Sequence, residues 1–174
     1  MDKSHIPPTA TLIAALTGAG DALARADARV AGMFAPIADH LVAAHGFGLV
    51  TITRRDVRDG SYLRLYSSMP DAYEASGRKP PTGGDWSRLV IDERRTFVAR
   101  SYEEMALAIE DHEKIRDLGL ESIVNVPIVV SGEVLGTLNC LAGPGRLTEE
   151  MVAACEAMRA LAALALMLAA DPPG

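Results

Sequence analysis

Apolar residues in the first quarter of the chain recur with a helical period. They are spaced seven positions apart within the alanine-rich residues 11–44, at Leu16, Leu23, Val30 and Ile37. This spacing predicts a helical seam. Gly18, Gly20 and Pro36 lie inside the seam, so we expect two or three helical pieces or a kink rather than one rod.

The next segments alternate apolar and polar positions in the manner of β-strands. Gly46 ends the helical region, residues 47–54 form a first strand, and residues 62–68 form a returning strand after a polar turn. Residues 69–85 contain three prolines and three glycines, a composition that excludes a long regular element. Long loops inside compact domains are often functional. We therefore treat residues 73–86 as a candidate lid.

Helix-start signals mark the second half of the chain. Asp85 is predicted to cap a short helix whose apolar face includes Trp86, and a brief strand follows at residues 96–100. Ser101 and Glu104 form a capping-box pattern for a helical stretch that runs through residue 117. Thr148 is predicted to cap a last helix that ends near residue 170.

Two apolar runs flank the turn at residues 131–133 and predict a β-hairpin. If the turn has three loop residues, Asn125 lies opposite Asn139, and both amides occupy one face of the hairpin. A two-residue loop would shift the partners by one. In the first register, the other face is apolar and carries Val124, Val126, Ile128, Leu138 and Cys140.

The order of these elements predicts an α+β fold, in which an antiparallel sheet has helices on one face and loops on the other. A chain of 174 residues with 49% hydrophobic residues is long enough for one well-buried core. We expect a flexible lead-in at residues 1–10, one domain at residues 11–170, and a tail at residues 171–174.

Composition and charge exclude several function classes. The net charge of −6 and the aromatic content of 5% provide neither a basic surface nor stacking platforms for nucleic acid. Two cysteines and no secretion signal favour a cytoplasmic protein. The longest apolar run, residues 160–170, is shorter than the roughly 20 residues that span a bilayer, so we expect no membrane association.

The last apolar segment suggests a partner. The sequence RALAALALMLAA at residues 159–170 is apolar all round, and a helix of that kind needs cover on every side. Packing beside the first helices of a second copy would provide it. We therefore expect residues 11–44 and 148–170 to form the helical bundle of a homodimer.

Several segments together resemble the GAF domain family over roughly residues 35–168. They include HGFGLVTI, RLYSS, FVARS, IRDLGLESIVNVPI and SGEVLGTLNCL, of which the hairpin from Asn125 to Asn139 is the most specific. The resemblance implies a PAS-like fold. In that fold a central antiparallel sheet of about six strands carries the first and last helices on one face and a small-molecule pocket on the other. It also implies a ligand-sensing module, often dimeric.

The sequence departs from the better-known subtypes of that family. It lacks the motif of the cyclic-nucleotide binders, and neither cysteine lies where a bilin would attach. The resemblance implies no particular cofactor. No output segment of the kinase, phosphodiesterase or helix-turn-helix kind is present in this sequence, so a sensor would signal through a downstream protein.

Candidate ligand contacts come from the sheet and the lid. Unpaired buried amides cost about 1–3 kcal/mol each, so Asn125 and Asn139 need a ligand, water or loop backbone as partner; holding down a covering loop is the alternative role. Tyr73, Arg78 and Trp86, with the neighbouring Lys79, would provide flat walls and cations to a polar or anionic ligand. Their alternative roles are a core anchor for Trp86 and a solvated surface for the basic pair.

Two further candidates lie on the returning strand. Arg64 and Tyr66 are two positions apart, so in a regular strand both would point to the same face, and they would reach the pocket if that face is the open one.

Metal binding and thiol chemistry have weaker support. His112 lies among carboxylates and has no second histidine one helical turn away, and His40 and His45 sit near a helix end, where a charge–dipole contact explains them. We predict no metal site. Cys140 is a candidate nucleophile only under an alternative function, a thiol-based reductase of free methionine sulfoxide.

The sequence therefore predicts a cytoplasmic GAF-like sensor that binds a small polar or anionic metabolite as a homodimer, and it favours a binding role over an enzymatic one. The alternatives are the thiol-based reductase and a ligand-free dimerisation module, which a pocket filled by its own side chains would favour.

Overall fold

The computed structural model describes residues 8–25, 30–75, 78–81 and 83–169. Within them, six strands form one antiparallel sheet in the order β3-β2-β1-β6-β5-β4. The predicted α+β class and six-stranded sheet are confirmed. Most of the predicted lead-in, residues 1–7, and the predicted tail lie outside the described residues.

Two helices precede the sheet in the described chain, two follow it, and three short helices lie between its strands. The strands are β1 Leu49–Arg55, β2 Tyr62–Ser67, β3 Arg78–Lys79, β4 Phe97–Ala99, β5 Ser122–Val130 and β6 Glu133–Ala142. The helices are α1 Pro8–Ala24, α2 Val30–His45, α3 Gly84–Ser87, α4 Tyr102–Ala106, α5 His112–Asp117, α6 Glu149–Ala157 and α7 Arg159–Leu168. A π-helical segment, Arg88–Asp92, follows α3 directly.

The helix face of the sheet is covered by α2, α6 and α7. Alternate residues of β5 and β6 point to this side and form one core with the three helices. Its members include Phe34, Ile37, Leu41, Val50, Ile52, Val124, Val126, Ile128, Leu138, Cys140, Met151, Cys155 and Leu166. This is the largest apolar cluster among the described residues, and it holds α2, α6 and α7 on one side of the sheet.

The opposite side, called the lid face, is covered by the segments between β2 and β5. One cluster on this face includes Leu49, Tyr73, Ala99, Met105, Ile115, Leu120, Ile123 and Leu141. A second cluster contains Tyr62, Trp86 and Val90. The covering segments therefore fill much of the lid face with their own side chains.

The predicted heptad seam does not describe α1. The helix buries Ala15, Ala19 and Ala22, whereas the side chain of Leu16 is 54% exposed. Small residues allow close approach to α2: a Cβ on Gly18 would lie 3.1 Å from a ring carbon of Pro36. The helix also begins at Pro8, inside the predicted lead-in. Ile37 is fully buried as expected, and the side chains of Leu23 and Val30 lie outside the described residues.

The hairpin of β5 and β6 combines a two-residue turn with a bulge. Ser131 and Gly132 have φ of +50° and +85°, as a tight type I′ turn requires. The turn alone would shift the register, but an irregularity between Ile128 and Val129 shifts it back. Asn125 therefore pairs with Asn139, as predicted, although the loop has two residues instead of three.

A second bulge lies in β2 and overturns one site prediction. Ile52 pairs with Tyr66 and Thr53 pairs with Arg64, so Leu65 is an extra residue between them. Because of this extra residue, Arg64 and Tyr66 point to opposite faces. The Tyr66 ring lies on the helix face, 6.2 Å from the ring of Phe34, and it cannot contact a ligand on the lid face.

The lid contains more regular structure than its composition indicates. Arg78 and Lys79 form β3, which pairs with Tyr62 and Leu63 at the edge of the sheet. The first lid helix begins after Gly83, with no side-chain cap, so the predicted cap at Asp85 is wrong. The other two caps are confirmed: Ser101 accepts from the Glu104 amide and Thr148 from the Met151 amide.

The last two helices join almost end to end and pack against the sheet. By length and composition, the combined helical span Glu149–Leu168 is apolar enough to cross a membrane, a property that core helices of soluble proteins share. In this chain its carboxyl end contacts β1, because the Arg54 guanidinium donates to the Leu166 carbonyl and, at 2.7 Å, to the Ala169 carbonyl. A cation at this position satisfies terminal helix carbonyls.

Candidate functional site

A row of polar side chains crosses three neighbouring strands on the lid face. Thr51 on β1 pairs with Asn139 on β6, which pairs with Asn125 on β5. Asn139 Nδ2 donates to Thr51 Oγ1 at 3.1 Å, and Asn125 Nδ2 donates to Asn139 Oδ1 at 2.8 Å. We call these three residues the polar row.

The lid closes the polar row through one hydrogen bond. Trp86 Nε1 donates to Asn125 Oδ1 at 2.9 Å, and both side chains are buried. Each amide oxygen therefore has a donor, which avoids the cost of about 1–3 kcal/mol for an orphaned buried group. In this conformation Asn125 holds the covering segment in place, which is the alternative role considered above. Asn139 is only partly buried.

A second row of polar groups lies next to the first. Thr53 and Thr137 are paired across β1 and β6, and their hydroxyl oxygens are 2.7 Å apart. Thr53 also pairs with Arg64 on β2. Since alternate residues of a strand share a face and rise about 7 Å, Arg64 lies one row from Thr51.

Arg64 and Tyr73 form a stacked pair at the edge of this face. The Arg64 guanidinium carbon lies 4.0 Å from the centre of the Tyr73 ring, within the range of a cation–π contact. Arg64 Nη1 donates to the Glu74 carbonyl at 2.7 Å. Lid residues thus hold the buried guanidinium from two sides.

Asp111 is the carboxylate of this cluster. It accepts from the Tyr73 hydroxyl, its Oδ1 lies 2.7 Å from Lys79 Nζ, and its Oδ2 lies 3.8 Å from Arg64 Nη2. Burial alone raises the Asp111 pKa, but the bonds from Lys79 and Tyr73 outweigh it and leave the pKa lowered. Burial and the Asp111 charge raise the Tyr73 pKa. Asp111 is therefore ionised and Tyr73 neutral at neutral pH.

The structure divides the predicted ligand residues into separate places. Asn125, Asn139 and Trp86 share the polar row and its cover, and Arg64 and Tyr73 share the Asp111 cluster. Arg78 belongs to neither group: its guanidinium lies 3.0 Å from Asp56 Oδ2 and bonds the Ser61 hydroxyl. Tyr66 lies on the opposite face of the sheet, for the reason given above.

Sequence reasoning missed two members of the site. Thr51 completes the polar row, and its signal was present, because a threonine alternates with valine and isoleucine on β1. Asp111 had no such signal, since it stands in the charged stretch EDHEKIRD, where carboxylates are typical of a solvated helix.

The cysteines do not form a thiol active site. Cys140 and Cys155 are both free and fully buried, on the helix face. Burial and the neighbouring Cys155 thiol raise the pKa of Cys140 well above its ordinary value. A thiol reductase needs an exposed thiol with a lowered pKa, so this arrangement argues against the reductase alternative.

The histidines also have local partners. His40 is buried, with Nδ1 2.8 Å from the Thr11 hydroxyl, and burial together with His45 lowers its pKa. His112 Nδ1 lies 2.8 Å from the Tyr102 hydroxyl. Across the described ranges, no group of three or more His, Cys, Asp or Glu side chains is arranged to hold a metal ion.

Solved structures share this fold. The chromophore-binding domain of an unusual bacteriophytochrome from R. palustris aligns with a TM-score of 0.67 and 11% identity, over 93% of this chain and 63% of that one. This chain thus spans less than two thirds of that domain. The GAF domain of a phosphoenolpyruvate-protein phosphotransferase from Coxiella burnetii aligns with a TM-score of 0.65 and 17% identity, over 90% and 92%.

A third example comes from a signalling protein. The GAF domain of a two-component sensor histidine kinase from Bacillus halodurans aligns with a TM-score of 0.62 and 16% identity, over 78% of this chain and 91% of that one. At these identities, the likeness establishes the fold alone.

Sequence comparison identifies the family independently. No curated protein sequence matches this chain, but the sequence model of the GAF domain matches residues 27–167, which include every element from α2 to α6 and nearly all of α7. The resemblance found in the sequence is confirmed, and the chain belongs to the GAF domain family.

Proposed function

We propose that this protein is a sensor that binds a small polar metabolite over the polar row and responds by moving its lid. GAF domains are generally small-molecule sensory or regulatory domains, which supports the general role. The observation that carries the specific proposal is the hydrogen bond from Trp86 Nε1 to Asn125 Oδ1.

In the closed conformation, the indole N–H of Trp86 occupies the position that a hydrogen-bond donor of the ligand would take. The polar row would be costly under an apolar cover if the cover provided no donor. A metabolite with its own donor can take the place of the indole N–H without leaving Asn125 unpaired. Because Asn139 is only partly buried, solvent reaches part of the row, and ligand binding shifts the lid from the closed to an open population.

The chain carries its own reporters for this exchange. Trp86 is the only tryptophan, and Asn125 and Asn139 are the only asparagines. Selective ¹⁵N-asparagine labelling therefore yields two side-chain amide signals, each a pair of N–H peaks, and both come from the polar row. A binding metabolite is expected to shift both signals and the Trp86 fluorescence together.

The binding experiment uses a metabolite panel with thermal shift as the first screen. Hits are repeated on Asn139→Leu, which removes the centre of the polar row, and on Arg88→Gln, a control at an exposed position just after the lid. The proposal expects the response to be lost in the first variant and kept in the second. A panel without hits, or hits that leave both amide signals unchanged, contradicts it.

Homodimer formation is the second part of the proposal. Large apolar side chains are exposed on the outer helices, namely Ile13 and Leu16 of α1 and Leu164, Met167 and Leu168 of α7. Between these helices and α2 lies a shallow apolar recess, lined by Ala19, Met33, Leu161, Leu164 and Ala165. A second copy covering this surface would remove the exposed apolar area from water.

Sedimentation velocity tests the dimer directly. The wild-type chain of 18.4 kDa is expected to sediment at twice its mass, and Leu16→Glu with Met167→Glu is expected to give the monomer. Leu107, 90% exposed on the lid side, provides the matched control, because Leu107→Glu should leave the dimer intact. A monomeric wild type, or equal effects of both changes, refutes the assignment.

A ligand-free dimerisation module is the second candidate function. Two apolar clusters that occupy the lid face favour it: one contains Tyr62, Trp86 and Val90, and the other contains Tyr73. A dimer that gives no hits in the metabolite screen would support this candidate over the sensor.

The cellular setting is also part of the proposal. Two free, buried thiols suit a reducing cytoplasm, and the sensor would act on a separate signalling protein through its helical surface. Cell fractionation together with cross-linking of the wild type and the Leu16→Glu, Met167→Glu variant would test both points.

A further inference from the structure

The Arg64 guanidinium is buried without a full set of acceptors. Its side chain is 9% exposed. Nη1 donates to the Glu74 carbonyl, but Nε has no hydrogen-bond partner among the described residues. Arginine presents its donors in a rigid fork that matches an oxyanion at two points, and in this structure the fork is only partly used.

Two further cations lie near the Arg64–Tyr73 pair. Lys79 Nζ is 2.7 Å from Asp111 Oδ1, and Lys114 Nζ is 5.3 Å from the centre of the Tyr73 ring. Within the described part of the chain, Asp111 is the carboxylate that pairs with Arg64. Its oxygens are directed mainly to Tyr73 and Lys79, and at 3.8 Å the contact with Arg64 is an ion pair but not a hydrogen bond.

We propose that the place around Arg64, Tyr73 and Lys79 receives a carboxylate group of the ligand, and that Asp111 is an internal stand-in for that group. This inference rests on the proposed sensor function and specifies the chemistry of its ligand. A carboxylate is chosen because one already accepts from the Tyr73 hydroxyl and forms an ion pair with Lys79 there. Asp111 shows which donors the ligand group would use.

The position of Arg64 sets the shape of the ligand. Arg64 pairs with Thr53, which follows Thr51 of the polar row by two residues on β1. Two residues of strand correspond to about 7 Å. A small metabolite with a carboxylate at one end and a hydrogen-bonding group about that distance away can contact Arg64 and the polar row together.

The exchange would also release a covering segment. Asp111 lies at the start of α5 and bridges it to Tyr73 and to Lys79 on the edge strand β3. When a ligand carboxylate takes over the Tyr73 and Lys79 contacts, the ties between α5 and β3 are broken. Ligand binding is thereby coupled to movement of the segment that covers the site.

The test removes the internal carboxylate and adds an external one. Asp111→Asn keeps Arg64, Tyr73 and Lys79, and Asp111→Asn with Arg64→Gln is its matched control. Both are heated with acetate or inorganic phosphate, against chloride at the same ionic strength. Acetate is expected to raise the melting temperature of the single variant by several degrees, to raise that of wild type much less, and to have no specific effect on the control.

Each other result overturns the inference. Equal responses of the two variants mean that acetate binds elsewhere, and stabilisation by phosphate but not acetate refutes the carboxylate assignment. If Asp111→Asn does not fold, the same melts are made with Asp111→Ala, which also leaves the donors free, and with Asp111→Ala combined with Arg64→Gln. Equal responses of that pair to acetate refute the inference equally.

The outcome is separable from that of the sensor proposal. A metabolite that shifts the two asparagine signals, while acetate never acts through Arg64, leaves the sensor intact and removes the carboxylate site. If acetate acts through Arg64 but the metabolite panel gives no hits, the carboxylate site stands and the sensor proposal fails.

Discussion

The contact between Trp86 and Asn125 predicts a large and specific loss of stability in Trp86→Phe. The phenyl ring leaves Asn125 Oδ1 buried without a donor, which costs about 1–3 kcal/mol. The smaller ring adds roughly 1 kcal/mol, at ~24 cal/mol per Å³ of unfilled volume. The free energy of unfolding is therefore expected to fall by about 2–4 kcal/mol, which moves the urea midpoint by about 1–2 M for an m value near 2 kcal/mol/M.

Far-UV circular dichroism is the appropriate probe, because the variant has no tryptophan. Arg88→Gln is the control: it breaks only exposed ion pairs of the same segment, which are worth about 0–1 kcal/mol.

A double-mutant cycle with Asn125→Leu isolates the hydrogen bond from the change in ring size. Loss of the Asn125–Asn139 bond occurs in both arms with Asn125→Leu and cancels. The coupling free energy is expected to be about 0.5–3 kcal/mol. A coupling indistinguishable from zero would refute the view that this hydrogen bond closes the lid.

Three further predictions concern other parts of the molecule. A Cβ on Gly136 would lie 2.0 Å from the Thr53 carbonyl oxygen, so Gly136→Ala should lower the free energy of unfolding in urea by about 1–3 kcal/mol or more. A Cβ on Gly20 would have no neighbour within 4 Å, so Gly20→Ala should raise it by about 0.5–1 kcal/mol. Similar results for both variants would contradict the packing described for β1 and β6. The lowered His40 pKa means that the unfolded chain takes up the proton first, so stability should fall as pH drops below about 6.5, by at most ~1.4 kcal/mol per pH unit, and melting curves of His40→Gln should depend less on pH between 7.5 and 5.5. Cys140 and Cys155, both fully buried, should resist iodoacetamide in the native protein and react in urea; native labelling of either would revive the thiol-based alternative.

Local sequence rules predicted most of the elements. Capping residues and glycines marked helix ends, and alternation marked the strands. The facing pair of Asn125 and Asn139 was also predictable, because one hairpin determines its own register. Even there, the structure differs from the prediction in two ways, a two-residue turn and a bulge, whose effects on the register cancel.

Features that depend on one extra residue or on distant partners were not predictable. The bulge at Leu65 reverses the face of Tyr66 relative to Arg64, and nothing in YLRLYSS signals it. Asp111 joins the site only because the start of α5 lies against Tyr73 and Lys79, far away in sequence. Arg78 was assigned to the ligand because it is basic and in the lid, but its partner Asp56 lies in the β1–β2 turn.

The borders of the sheet are its shortest strands. One border is β3, with two residues that are both basic, and the other is β4, with three residues. Border strands as short as those described here give an approaching chain little backbone to pair with, which disfavours growth into fibrils. Joining two of these sheets edge to edge is disfavoured for the same reason, so in the proposed dimer a signal between the two copies would pass through the layer of helices.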